Sequence, residues 1–194
     1  MLLVIDTSGP RLGLGLFPHA EVNGTGAQFP EPVALFEEEI GRGHAERLVP
    51  AIRTLLDGRA PSDLTRVAAV AGPGSFMGLR VGLAAARGLA LALGIEAVGV
   101  SRAQALAWGR GAVEIVLDLR RGEVWRERFA ADGTSLGTRV ERTDGVEIEV
   151  ETAVPLPAVA VLALRHPLPP VPIYGRGADA KPQQHGAKVA SVQR

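Results

Sequence analysis

Between residues 66 and 94 the chain passes from Arg66-Val67-Ala68-Ala69-Val70-Ala71, the short apolar run of a buried strand, through Gly72-Pro73-Gly74-Ser75 into Phe76 to Leu93, a stretch without proline. That pattern predicts a strand, a tight glycine-packed turn and a long helix. Inside the helix Gly78, Gly82, Ala86, Ala90 and Gly94 fall at successive four-residue steps and form one ridge of very small side chains. A glycine in a helix interior costs about 1 kcal/mol against alanine, so close packing has to recover that loss. The ridge can serve the chain's own sheet or a partner's helix, and both uses are open at this level.

The same junction aims unpaired N–H groups and the positive end of a helix dipole at one spot, which would suit an anion. The details argue against a nucleotide fingerprint. A phosphate-binding loop needs Lys and then Ser or Thr after its last glycine, where this chain has Leu79 and Arg80. Gly72, Gly74 and Gly78 also miss the dinucleotide spacing by one residue. A structural turn is the plainer reading.

A chain of 194 residues can bury a proper core in one or two domains. With no cysteine it has no disulfide, no thiolate nucleophile and no cysteine zinc site, which suits a reducing compartment. The amino terminus enters a strand with no basic leader, and the expected localisation is cytoplasmic. Val81 to Val100 approaches bilayer-spanning length, but Arg87, Glu96 and two glycines interrupt it, so no membrane span is expected. Twenty-one basic and 21 acidic residues cancel, and aromatics make up 4%. Such a chain has neither the electrostatic pull nor the stacking surface to hold RNA alone.

Leu2 to Ile5 and Leu12 to Phe17 read as a hairpin, and Val33 to Glu39 as a third strand after a Gly- and Pro-rich excursion over 18–32. His44 to Asp57 reads as an amphipathic helix that Pro50 should kink. Its apolar stripe is Leu48, Val49, Ile52, Leu55 and Leu56. A strand over Ile95 to Val100 and a short helix over Ser101 to Trp108 follow the ridge helix. A second hairpin pairs Ala112 to Asp118 with Glu123 to Ala130, and Gly145 to Glu151 alternates as an edge strand would. Six prolines between 155 and 172 leave room for one short helix over Ala158 to Arg165, and Lys181 to Arg194 reads as a disordered tail.

Asp6 at a strand end, with Thr7 and Ser8 after it, can orient a metal or phosphate or can simply cap its own turn. Together with Gly72, Gly74 and Ser75 these residues are the candidate anion or nucleotide contacts. His19, His44, His166 and His185 are too far apart in sequence for a helical or hairpin metal pair, and no metal is expected. A triad of Ser75, His44 and Asp6 lacks the nucleophile elbow. Arg120, Arg121, Arg126 and Arg128 are interleaved with Glu123 and Glu127, which favours solvated ion pairs over a nucleic-acid patch.

Several ordered segments resemble the TsaB (YeaZ) family of bacterial tRNA-modification proteins. They are Leu3-Val4-Ile5-Asp6-Thr7-Ser8; Gly43-His44-Ala45-Glu46-Arg47-Leu48-Val49-Pro50; Gly72-Pro73-Gly74-Ser75-Phe76 with Gly78 and Arg80; Val98-Gly99-Val100-Ser101; Leu117-Asp118-Leu119-Arg120-Arg121-Gly122-Glu123-Val124-Trp125; and Pro172-Ile173-Tyr174-Gly175-Arg176 with Asp179-Ala180-Lys181-Pro182-Gln183. The resemblance implies an α/β fold of the actin-like, Hsp70-like sugar-kinase (ASKHA, RNase H-like) class with two lobes. The first would cover 1–100, a shortened second 101–180, and the tail 181–194.

It also implies a non-catalytic subunit without cofactor that binds the catalytic paralogue TsaD, works with the ATPase TsaE and meets tRNA through the complex; homodimer and monomer both stay open for the chain when alone. The paralogue holds its metal with a histidine pair just after the strand matching Val98-Gly99-Val100, where this chain reads Ser101-Arg102-Ala103-Gln104-Ala105. The expected docking face joins the first helix (His44, Leu48, Ile52, Leu55) to the ridge (Gly78, Gly82, Ala86, Ala90) in a four-helix bundle. A catalytically competent kinase or transferase of the same superfold, or a homodimeric scaffold unrelated to tRNA, would be the alternatives.

Overall fold

β1 (Leu2–Asp6) carries apolar side chains on both faces, which calls for cover on both sides. In the computed structural model, which describes residues 1–19, 30–120, 122–143 and 154–175, β1 is the central strand of a five-stranded sheet. It pairs antiparallel with β2 (Arg11–Phe17), and β2 pairs antiparallel with β3 (Ala34–Glu39). On its other side it runs parallel to β4 (Arg66–Gly72), and β4 parallel to β5 (Glu96–Ser101). The order β3-β2-β1-β4-β5 is the RNase H-like sheet expected of the actin-like superfold.

Alternation then sorts the side chains. Leu3, Ile5, Leu12, Leu14, Leu16, Val67 and Ala69 face the crossover helices α1 (His44–Leu56) and α2 (Phe76–Leu93). α1 runs unbroken through Pro50, which lies on its exposed side. α3 (Arg102–Ala107) leads into a second, three-stranded antiparallel sheet of β6 (Val113–Arg120), β7 (Glu123–Phe129) and β8 (Ser135–Arg142). Ile115, Leu117 and Phe129 cover Ala103, Leu106 and Ala107 of α3.

β8 is absent from the sequence reading. Its signal was the Asp132-Gly133 turn, where Gly133 takes φ 83° and the Asp132 carboxylate accepts the Thr134 N–H at 2.9 Å. That bond holds the Asp132 carboxyl below the usual carboxylate range. The strand itself is exposed over nearly its whole length, so it lacks the buried period-two pattern by which strands are recognised.

α4 (Leu156–Arg165) shifts the expected division of the chain at residue 100. It returns to the first sheet and packs Val159, Val161 and Leu162 on Leu2, Val4, Val70 and Val100, covering the face opposite α1 and α2. The proline-rich segment after it then closes the β5 edge. Gly99 and Leu168 exchange both backbone hydrogen bonds (2.8 and 2.9 Å), and the Ile173 N–H donates to the Ala71 carbonyl at 2.7 Å. Proline suits this place because an edge needs few further donors. By packing, the second lobe among the described residues is α3 and the three-stranded sheet alone. The expected edge strand over Gly145 to Glu151 and the tail from Lys181 lie outside the described residues.

Candidate functional site

At the carboxyl ends of β1 and β4 the two turns interlock. Asp6 Oδ1 accepts from the Ser8 N–H (2.9 Å) and the Ser8 hydroxyl (2.6 Å), so the carboxylate caps its own turn. Thr7 Oγ1 donates to the Gly78 carbonyl at 2.7 Å, and the Ser75 N–H donates to the Ser8 carbonyl at 2.7 Å. The Ser75 hydroxyl in turn caps α2 by accepting the Gly78 N–H at 3.3 Å. A Cβ on Gly74 would lie 2.5 Å from the Ser8 carbonyl oxygen, and one on Gly72, at φ 119°, would run into the Ile173 carbonyl. The structure thus brings together all five residues read as anion contacts, Asp6, Thr7, Gly72, Gly74 and Ser75. It spends one oxygen of the Asp6 carboxylate, the Thr7 hydroxyl and the Ser75 N–H on bonds within the chain, and the two glycines admit neighbouring backbone.

The ridge is turned inward, and here the expected docking face is corrected. Gly78 lies against the Thr7 carbonyl, and Gly82 against the Thr7 hydroxyl and the Ile5 side chain, each with no room for a methyl group. Ala86 is fully buried, and Ala90 nearly so. Leu48, Ile52 and Leu55 of α1 are buried over the sheet, and His44 is buried with its Nε2 unpaired. None of the eight residues assigned to a partner is on the surface. The physical reason is the β1 turn, whose carbonyl and hydroxyl rise toward α2 so closely that only glycine fits beneath them.

The opposite side of α2 is also apolar, and it is bare. Met77 is 64% and Leu91 86% exposed, and Ala84, Gly88 and Ala92 are exposed between and beside them. The spacing of Met77, Val81, Ala84, Gly88 and Leu91 puts them on one outer stripe. Val49, 53% exposed, and Ala45 add apolar surface on α1. Gly88 differs from Gly78 and Gly82, because nothing among the described residues lies within 4 Å of where its Cβ would be. Sequence reasoning missed this stripe although its signal was present, since a helix apolar all round leaves the inner face undetermined.

At the amino-terminal end of the stripe sits an exposed stack. The Arg80 guanidinium lies 3.8 Å from the centre of the Phe76 ring, its Nε donates to the Tyr174 hydroxyl at 2.9 Å, and the two rings are 5.0 Å apart. On the second sheet Arg126 and Arg139 both reach Glu114, at 2.9 and 3.4 Å, in line with the ion pairs expected there. After β5, Ser101 caps α3 by accepting the Gln104 N–H at 3.3 Å. Among the described residues no three His, Asp or Glu side chains gather as a metal site.

Residues 37–124 match the family model for TsaD, tRNA N6-adenosine threonylcarbamoyltransferase. The chain is 34% identical over 130 residues to the tRNA threonylcarbamoyladenosine biosynthesis protein TsaB of Bacillus subtilis strain 168, covering 64% of this chain and 52% of that protein. It is 32% identical over 139 residues to the protein of the same name from Escherichia coli K12, covering 68% and 55%. It therefore spans about half the length of these two relatives. The solved structure of YeaZ from Pseudomonas aeruginosa superposes with a TM-score of 0.65 at 23% identity, covering 89% of this chain and 98% of that one, which shows the fold.

Proposed function

This chain belongs to the TsaB (YeaZ) family, and we propose that it works in tRNA threonylcarbamoyladenosine biosynthesis as a non-catalytic docking subunit of TsaD in the cytoplasm. The observation that carries the docking role is the bare outer face of α1 and α2. Leu91 and Met77 are left in water, and Gly88 weakens α2 by about 1 kcal/mol with no neighbour among the described residues that needs it. A partner helix crossing at Gly88 supplies the missing reason, because it can approach the α2 backbone there and cover both flanking side chains. In this reading the face takes the place of the ridge as the docking surface of a four-helix arrangement with the partner.

The non-catalytic role is supported by the β1 turn, where Oδ1 of Asp6 and the Thr7 hydroxyl are engaged within the chain. In this reading TsaE and tRNA meet the chain through the complex, and the apolar face accounts for a homodimer when TsaD is absent. The test is binding to TsaD from the same cell, by calorimetry, with Leu91→Asp and Gly88→Trp. Each should weaken binding on the order of a hundredfold, since a charge or a bulky ring would be forced into a close apolar contact. Parental affinity in both folded variants would move the interface elsewhere.

A further inference from the structure

The outer stripe of α2 says more about its partner than that it is apolar. α2 contains no acidic residue, and its exposed flank carries Arg80 and Arg87. Among the described residues no ion pair or hydrogen bond engages the Arg87 guanidinium, and Arg53 on the exposed side of α1 is likewise unengaged. The acids on exposed positions of α1 stand near its ends, Glu46 in the first turn and Asp57 at the cap. The face is therefore an apolar stripe with a cationic border.

Arg80 is the part of that border already held in place. Stacking on Phe76 and the bond from Nε to the Tyr174 hydroxyl fix the plane of the guanidinium, while both Nη groups keep their donors. A side chain fixed in this way loses little rotamer freedom on binding, and its planar fork matches a carboxylate with two parallel hydrogen bonds. Phe76 is 46% and Tyr174 37% exposed, so the stack is accessible, and Met77 joins it directly to the apolar stripe. Exposed aromatic and arginine anchors beside apolar surface are the residue types that dominate interface energetics.

We infer that Arg80, fixed by Phe76 and Tyr174, is the charged anchor of the docking face and receives a carboxylate from the partner's opposing helix. The face thereby selects an acid-bordered partner over a second copy of this chain. The inference rests on the docking reading above. A second copy would bring another α2 with the same two arginines and no acid, so like charges would border both sides of the contact. Complementary charge acts on association rate and on partner choice more than on the apolar contact itself.

The experiment titrates TsaD from the same cell against the full chain at low and physiological salt, and measures self-association by sedimentation. Arg80→Glu should weaken TsaD binding at least about tenfold and flatten its salt dependence, and Arg87→Glu should weaken it several-fold. Arg80→Lys keeps the charge but loses the fork, and should fall between parent and Arg80→Glu. Tyr174→Phe keeps charge and stack, and should cost only a few-fold through the loss of orientation.

If Leu91→Asp abolishes binding while both arginine variants keep the parental affinity and salt slope, the anchor is refuted and the docking face stands. If all of them bind like the parent, both readings fail. Self-association as tight as TsaD binding would refute the choice of partner. Loss of tRNA binding in Arg80→Glu with TsaD affinity intact would assign the stack to RNA and overturn the inference.

Discussion

Gly82 and Gly88, about one and two-thirds turns apart on the same helix, should answer the same substitution with opposite signs. Gly88→Ala adds a methyl group where nothing among the described residues lies within 4 Å, so only the helix propensity changes, and the chain should gain about 0.5–1 kcal/mol. Gly82→Ala makes the same propensity gain, but its methyl group lands on the Thr7 hydroxyl. Thr7 is fully buried, and its hydroxyl donates to the Gly78 carbonyl at 2.7 Å. Displacing it loses a buried hydrogen bond, about 1–3 kcal/mol, and overpacks the contact between α2 and β1, about 1–3 kcal/mol more. Subtracting the propensity gain leaves a net loss of about 1–5 kcal/mol.

Urea titration followed by circular dichroism reads both differences through the midpoint at constant slope. In a domain of this size 1 kcal/mol is about 2–4 °C in Tm, so the two variants should separate clearly on melting as well. Equal stabilisation by both substitutions would refute the inward ridge. A loss of stability in Gly88→Ala would mean that α2's outer face is already packed within the chain.

Three further outcomes bear on function. Asp6→Asn keeps an oxygen acceptor for the Ser8 N–H and hydroxyl, so a reconstituted complex should retain threonylcarbamoyl transfer; loss of transfer with intact TsaD binding would give Asp6 a catalytic part. The chain alone, with its 21 basic and 21 acidic residues, should bind tRNA weakly and with strong salt dependence in filter binding, and sub-micromolar affinity at physiological salt would contradict this. Gly99→Ala should cost about 1–3 kcal/mol of stability, read from the unfolding midpoint, because its methyl group would lie 2.6 Å from the Pro169 carbonyl and push the closing segment off the β5 edge; a neutral result would show that segment to be loosely held.

The elements of the first sheet were legible because each carries its period in the sequence. The continuous apolar runs of β1 and β4 announce strands covered on both faces, and the stripe of Leu48, Ile52 and Leu55 announces a helix with one inner side. The Gly72 to Ser75 junction was legible for the same reason: Gly and Pro mark a turn locally, whatever surrounds it. β8 was not legible, since an exposed strand at a sheet edge has no buried face to impose alternation. Nor was the return of α4 to the first sheet, because an apolar helix records that it is buried without recording against what.

The site divided along the same line. The sequence by itself determined that α2 has a ridge on which a backbone can come close, that the β1 turn carries Asp6, Thr7 and Ser8, and that the family's residues stand in order along the chain. Only the tertiary structure decided which side of α2 meets the sheet, because that choice depends on the Thr7 carbonyl and hydroxyl, brought from some seventy residues away in sequence, rising under Gly78 and Gly82. It also brought Tyr174 to Arg80 across 94 positions, a pairing without any local signature. Spacing along one helix fixes which residues share a face; what that face touches is set by chain brought from elsewhere.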